Sequence, residues 1–333
     1  MSAETADPCG PSNPGRYRNL AERFLSRSFR LGPGRHVDPA GVRGYPIDFS
    51  SKAERPTVLP GFLDEPGRYL WVAHAQRGLG CFERWLDGQG EQWLAGARHA
   101  ADVLLEHQVR GGVHDGGWVQ LWAYPHTYAL DPPWVSAMAQ GEGASLLLRV
   151  HAETGDERYA EAAQRALRLM TVPSAEGGAS APLGGIPFPE EYPTQPASFV
   201  LNGAIFALWG LRDAGLALGD QAALQAFEDV LGALAANIER WDTGSWSRYD
   251  LFPHRVTNVA SEAYHELHVA QLEAMGELAP RPELRDAAER FAGYAASPLR
   301  RAGAFGRKAL FRIAEPRSAR LARLLPWATE VSR

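Results

Sequence analysis

Four alanine-rich stretches of one layout recur along the chain: GEQWLAGARHAADVLL from Gly90, GDERYAEAAQRALRLM from Gly155, GDQAALQAFEDVLGAL from Gly219 and RPELRDAAERFAGYA from Arg281. In each, a short turn starts an amphipathic helix. A more apolar stretch with helical spacing precedes each one, around Tyr69 to Leu86, Trp134 to His151, Ala197 to Leu218 and Asn258 to Leu278. The resulting helical hairpins repeat every 62 to 69 residues or so, about the size of a stacked helix pair that cannot bury its apolar face alone. Strand-like runs of period two are scarce. The predicted fold is therefore all-α, an α/α toroid (incomplete α/α barrel) of about four hairpins with inner and outer helix rings. We expect a disordered segment over residues 1–17, the toroid over 18–299 and a basic helical tail over 300–333.

The connections are uneven. Turns within hairpins are short, whereas those between hairpins are long, at Val109 to Pro133, Thr171 to Pro196 and Asp242 to Thr257. In a toroid these long loops share one rim, and long structured loops on a scaffold tend to carry function. They also hold much of the aromatic content. Trp118, Trp122, Tyr124, Trp134 and Trp246 offer flat apolar faces beside hydrogen-bonding groups, which suits sugar rings.

Composition removes several classes of function. A net charge of -5 lacks the basic excess of a nucleic-acid binder. Arginine supplies nearly all the positive charge, Lys52 and Lys308 being the only lysines. The two cysteines, Cys9 and Cys81, allow neither a disulfide framework nor a cysteine metal cluster. The Pro/Gly/Ser-rich opening has no apolar run of a secretory signal, and no later segment reaches the roughly 18 apolar residues of a transmembrane helix. The expected location is the cytoplasm.

Three motifs concentrate polar groups. PWVSAMAQGEGASLLLR, from Pro133, opens a helix with Gln140 and Glu142 near its start, and with Gly141 and Gly143 where either a ligand or a neighbouring helix comes close. PFPEEYPTQPASFVLNG, from Pro187, holds Glu190, Glu191 and Tyr192 in a proline-rich connection before Asn202. WSRYDLFPHRVTNVASEAYHELHVAQL, from Trp246, crowds Arg248, Tyr249, Arg255, Tyr264, His265 and His268 into a turn and the following helix, with Tyr264, His268 and Gln271 on one face. His265-Glu266-Leu267-His268 is one residue short of the zinc spacing HExxH, so no metal is expected.

The ordered motifs PWVSAMAQGEG, EEYPTQPASFVLNG, DTGSWSRYDL and YHELHVAQL resemble those of the D-glucuronyl C5-epimerase catalytic domain, over about Trp118 to Leu272. That resemblance implies a helical-hairpin toroid and epimerisation of D-glucuronate to L-iduronate in a heparosan-like polysaccharide. By resemblance, Tyr192, Tyr249 and Tyr264 correspond to active-site tyrosines, with Tyr249 and Tyr264 transferring protons on the two faces of the sugar. Departures from the animal members are a shorter link between the tyrosine motifs and Ser261 where they carry arginine. The β-rich N-terminal region and membrane anchor of those members are not expected here.

Inverting C5 requires removal of a weakly acidic hydrogen beside a carboxylate and return of a proton to the opposite face. Tyrosine serves as base or acid, but an unperturbed pKa of about 10 calls for a cationic or hydrogen-bonding neighbour. Arg248, Arg255, His265 and His268 are candidates. Arg248, His265 and Asn202 are also candidate donors to the carboxylate of the intermediate. Trp118, Gln140, Glu142, Glu191 and Trp246 complete the expected substrate-binding set. The chemistry needs no cofactor.

Two rival readings share these residues: a uronate lyase or glycosidase on the same toroid, and a non-catalytic acidic-glycan-binding module. The expected partner is a uronate-containing oligo- or polysaccharide, and the sequence leaves a homodimer open. From Pro298 to Pro326, eight basic residues stand against Glu315 alone. With Leu310, Phe311, Leu321 and Leu324, this tail is read as a membrane-surface or glycan contact, or as a closing helix with a solvated basic face.

Overall fold

Gly-Asp pairs in the sequence become the turns of the hairpins. The helix Ala137–Thr154 ends at Gly155, whose φ of 69° suits a residue without Cβ, and Asp156 then caps Glu157–Arg168 by accepting from Arg158 N. Gly219 and Asp220 repeat the device between Leu201–Leu218 and Gln221–Asn237. The computed structural model describes residues 31–55, 69–122, 127–128 and 130–316. The expected disordered segment 1–17, Cys9, Tyr124, and the part of the tail beyond residue 316 lie outside these.

Among the described residues the helices are α1 (Trp71–Leu86), α2 (Glu91–His107), α3 (Ala137–Thr154), α4 (Glu157–Arg168), α5 (Leu201–Leu218), α6 (Gln221–Asn237), α7 (Glu262–Leu278), α8 (Pro282–Ala295) and α9 (Pro298–Ala314). They pair as α1–α2, α3–α4, α5–α6 and α7–α8, and the odd-numbered members pack on one another in order as the inner ring. This is the incomplete α/α toroid expected from the repeats. Burial follows from position in the rings. α3 is buried at every residue from Ala137 to Val150 and α5 from Leu201 to Gly215, whereas α4 buries only its alanine-rich stripe with Tyr159 and Leu167.

Small residues set the spacing of the inner ring. A Cβ on Gly141 would lie 2.5 Å from Ala207 Cα, and one on Gly210 would lie 2.6 Å from Gly141 Cα, so α3 and α5 touch backbone to backbone. Of the two accounts open for Gly141, helix packing is the one observed. Gly141→Ala is expected to lower stability by about 1–3 kcal/mol, because the clash is with main chain that has no rotamer to yield. A urea midpoint unchanged by the substitution would show that the seam can part without cost.

Segment 31–55 leans on the inner ring, with the Tyr45 ring edge-on to Trp209 (5.6 Å) and Phe49 against Phe206 (5.6 Å). The long connections lie on one rim and are stitched together. Ala137 N at the start of α3 donates to Glu190 O (2.9 Å), Leu201 N at the start of α5 donates to Tyr249 O (3.1 Å), and Leu251 N donates to Ser198 O (2.9 Å). Helix-start N–H groups thus find partners in the neighbouring loop. The loops also contain strands that an all-α reading omits. β1 (Val119–Gln120) pairs antiparallel with β2 (Trp134–Val135), and β3 (Ser180–Leu183) with β4 (Ile186–Pro189) across a Gly184–Gly185 turn.

Candidate functional site

The third connection and the first turns of α7 carry the core of the site. Ser261 caps α7 by accepting from Tyr264 N (3.4 Å), which sets Tyr264 at the rim with 40% of its surface exposed. Its ring meets that of Tyr249, which is 6% exposed, edge to face, with centroids 5.0 Å apart. A second pair adjoins. Tyr128 and Tyr192 lie 5.1 Å apart, Tyr192 also approaches Trp134 (6.0 Å), and Tyr128, Tyr192 and Tyr249 belong to one small apolar cluster with Val200, Leu130 and Phe252.

Two van der Waals contacts alone span about 7 Å, so at 5.0 Å the Tyr249 and Tyr264 rings pack on each other and not on either side of a stacked sugar. They form a single wall.

Asp250 organises this cluster from inside. Its Oδ2 accepts from Tyr128 Oη (2.5 Å), from His254 Nε2 (3.2 Å) and from Asn258 Nδ2. Burial, with the Asp250 charge next, pushes the Tyr128 phenol well above its ordinary value, so Tyr128 keeps its proton and donates it. Asn258 O accepts from Tyr249 N (2.8 Å), which fixes the Tyr249 backbone to the same hub.

Two histidines form a buried relay behind the wall. His265 Nε2 faces only a carbonyl, Phe291 O at 2.9 Å, and therefore carries the proton. Its Nδ1 then accepts from Ser247 N (3.2 Å) and Ser247 Oγ (2.7 Å). The hydroxyl proton being committed, His268 Nδ1 must donate to Ser247 Oγ (2.9 Å), which leaves His268 Nε2 a bare acceptor in the interior with no protein hydrogen bond. Burial is the main cause that lowers His265 to about 4 and His268 well below its usual value.

A pH dependence of stability follows from the two depressed values. The unfolded chain takes up protons near pH 6.5 while the folded chain does not, so the contribution is present above that pH and is lost as pH falls towards 4. For His265 the full loss is about 3 kcal/mol. Denaturant midpoints at pH 7.5 and 4.5 should differ less in His265→Gln than in the parent chain, and equal differences would rule out this source.

Several other expected contact residues prove to be framework. Trp118 is enclosed, its Nε1 donating to Leu104 O (2.9 Å) and its N to Gln140 Oε1 (2.9 Å). Gln140 Nε2 donates to Gly116 O and Ala166 O, both at 3.1 Å. Trp246 is stacked on His265 at 3.7 Å, with its Nε1 on Ala260 O (3.0 Å). The reason is shared: each bridges a long connection to a helix, a task that uses all its polar atoms.

The remaining candidates face different surroundings. Glu142 is buried on α3, accepting from Gln76 Nε2 (2.9 Å), while Gln76 Oε1 accepts from Lys52. Burial pushes the Glu142 carboxyl well above the usual carboxylate range and the Lys52 amine down. Glu191 is buried against the first turn of α5, and its neighbour Glu190 accepts from Ser198 N (2.7 Å), Ser198 Oγ (2.8 Å) and Phe199 N (2.8 Å). Gln271 Nε2 donates to Asn202 O (3.0 Å), tying α7 to α5. The side-chain oxygens Glu142 Oε2, Asn202 Oδ1 and Gln271 Oε1 are buried without a protein hydrogen bond, giving the inner ring a polar interior. Arg248 is half-buried, its Nε donating to Asp250 O (3.1 Å), and Arg255 is exposed. No group of three or more metal-binding side chains occurs among the described residues.

A cleft of about 260 Å³ opens between the first two connections, lined by His114, Asp131, Trp134, Ser174, Thr194 and Gln195 among others. Through Trp134 it adjoins Tyr192. Tyr128, Asp250 and Lys308 escaped the reading of the sequence. Tyr128 offers no signal there, whereas Asp250 stands inside a quoted motif, and Lys308 is one of two lysines among 34 basic residues.

The described part of the tail is helical. α9, capped by Ser297, turns its basic side inward, with Arg301 on Glu262 (2.8 Å), Arg307 on Thr243 and Ser245 (both 3.2 Å) and Arg312 on Thr127 (3.0 Å). Leu299, Phe305, Leu310 and Ile313 are its exposed side. The basic face is a clasp on the third connection because that connection supplies hydroxyls and carbonyls that need donors. No helix among the described residues is long and apolar enough to cross a membrane.

Helical rings and a rim of paired tyrosines over buried carboxyls define an α/α toroid protein with a polar interior. The family model for the D-glucuronyl C5-epimerase C-terminus matches residues 112–293, and the chain belongs to that family. A D-glucuronyl C5-epimerase of Caenorhabditis elegans is 34% identical over 214 residues, 59% of this chain and 34% of that protein. An uncharacterized protein of Methanocaldococcus jannaschii is 30% identical over 164 residues, 46% of this chain and 50% of that one. The chain thus covers half or less of these curated relatives. The solved structure of cellobiose 2-epimerase from Spirochaeta thermophila superposes with a TM-score of 0.46 at 17% identity, over 67% of this chain and 57% of that one.

Proposed function

We propose that this protein inverts C5 of D-glucuronate units in a uronate-containing glycan of heparosan type, giving L-iduronate. Family membership supports a carbohydrate epimerase or a related activity. The observation that carries the finer reading is the joining of two tyrosine pairs, Tyr249–Tyr264 and Tyr128–Tyr192, in one cluster at the rim.

In the reaction one phenolate takes the C5 proton and the electron pair of the C–H bond moves into the adjacent carboxylate. A phenol on the opposite face then returns a proton to C5. Charge is conserved, and no electron acceptor is consumed. Tyr249 and Tyr264 are read as the two proton-transfer groups, acting on opposite faces of the sugar, with Tyr192 beside them. Tyr128, held protonated by burial and Asp250, orients Tyr192 and Tyr249. Arg248 and Arg255 lie on the same connection as Tyr249 and are read as donors to the carboxylate of the intermediate, where each donor contributes about 3 kcal/mol.

The test is NMR of glucuronate oligosaccharides, heparosan among them, incubated with the protein in deuterated water. Deuterium at C5 with iduronate, and no chain cleavage, is the expected result. An unsaturated uronate absorbing in the ultraviolet would replace this reading with elimination, and binding without isotope entry would replace it with a glycan-binding role.

A further inference from the structure

The match to the family model ends at residue 293, yet α9, which begins at Pro298, reaches the tyrosine wall. Lys308 lies on its inward side with Nζ over the Tyr249 ring, 5.5 Å from the centroid. The ammonium is held in place, donating to Asn258 Oδ1 (2.6 Å) and Val259 O (2.8 Å). Asn258 is the residue whose carbonyl accepts from Tyr249 N and whose amide donates to Asp250. Lysine, anchor and tyrosine thus form one closed unit.

We propose that Lys308 is the cation that sets the ionisation of Tyr249, so that α9 is part of the site. The inference rests on the epimerase reading for its purpose, though not for its electrostatics. A charge above the ring face attracts the electron-rich phenolate more than the neutral phenol, and a compact ammonium concentrates that effect. The neighbouring groups described above act otherwise. The Asp250 charge opposes ionisation of a phenol beside it, Tyr128 keeps its proton, and His268 on α7 is neutral. Arg248 has its Nε turned to Asp250 O, and His254 is turned to the Asp250 carboxylate. Arg255 is exposed.

The decisive experiment titrates the full chain labelled with 13Cζ-tyrosine, the Tyr249 resonance being identified by its loss in Tyr249→Phe. In Lys308→Gln, which keeps an N–H donor for Asn258 and Val259, Tyr249 is expected to ionise about one pH unit higher, and Lys308→Arg should restore most of the shift. Lys308→Met, which keeps the packing of the stem, gives the same reading should the glutamine variant not fold. Where C5 exchange is measured, the limb of the kcat/KM profile governed by Tyr249 moves to higher pH by the same amount. An unmoved Tyr249 titration in a folded, uncharged variant overturns the inference. A moved titration in a protein that exchanges no C5 hydrogen on any uronate glycan leaves it standing and overturns the epimerase reading instead.

Discussion

Tyr264→Phe is expected to lower turnover about 1,000-fold while leaving substrate affinity and fold nearly unchanged, and Tyr249→Phe to do the same. Removing one oxygen takes away the group that gives or takes the proton but keeps the ring that packs. Tyr264 is 40% exposed, so water takes the space its hydroxyl leaves. Tyr249 is enclosed, and its edge contact with Tyr264 survives in a phenylalanine. The measurement is the rate of deuterium entry at C5, with binding followed separately by calorimetry. Full turnover in both variants would remove the tyrosines from the chemistry, and weakened binding with unchanged turnover would make them contacts only.

The largest expected effect on stability lies elsewhere in the inner ring. Arg149 on α3 and Asp213 on α5 are both almost fully buried and meet at 2.6 Å. The guanidinium also donates to Ser145 O (2.9 Å) and Gly44 O (2.6 Å) and lies over the Tyr45 ring (5.1 Å). Asp213→Ala leaves that charge buried without its counterion and should cost about 3–5 kcal/mol. For a chain of this size the thermal midpoint falls on the order of 10 °C. Replacing both partners with apolar residues of similar volume should recover most of the loss, because the penalty is that of a stranded charge. A single variant that melts with the parent chain would contradict the account.

The helices and their rings were legible because their signals are local: a repeated period, Gly-Asp turns and alanine stripes lie within one hairpin. The rim was legible in its position but less so in its internal division of labour. Trp118, Gln140, Trp246 and His265 look like contact residues in sequence, since polar and aromatic groups near a helix start suit both a ligand and a brace. Only the distances to Leu104 O, Gly116 O, Ala260 O and Phe291 O decide, and these partners are remote in sequence. Asp250 and Lys308 were missed for the same reason, their partners being gathered from the first and third connections and α9. The Ser180–Pro189 hairpin did carry a local sign, two glycines between short runs, but prolines in both strands masked it.

The unequal enclosure of the two wall tyrosines bears on isotopic memory. A proton on the Tyr264 hydroxyl trades with bulk solvent between turnovers, whereas one on Tyr249 is shielded. In the proposed cycle, the direction in which an enclosed phenol is the donor returns protons from earlier turnovers, and the direction in which an open phenol donates incorporates solvent label at once. The forward and reverse reactions would then acquire tracer with different lags, so the shape of the washout curve, rather than its final level, identifies which hydroxyl stands on which face of the sugar.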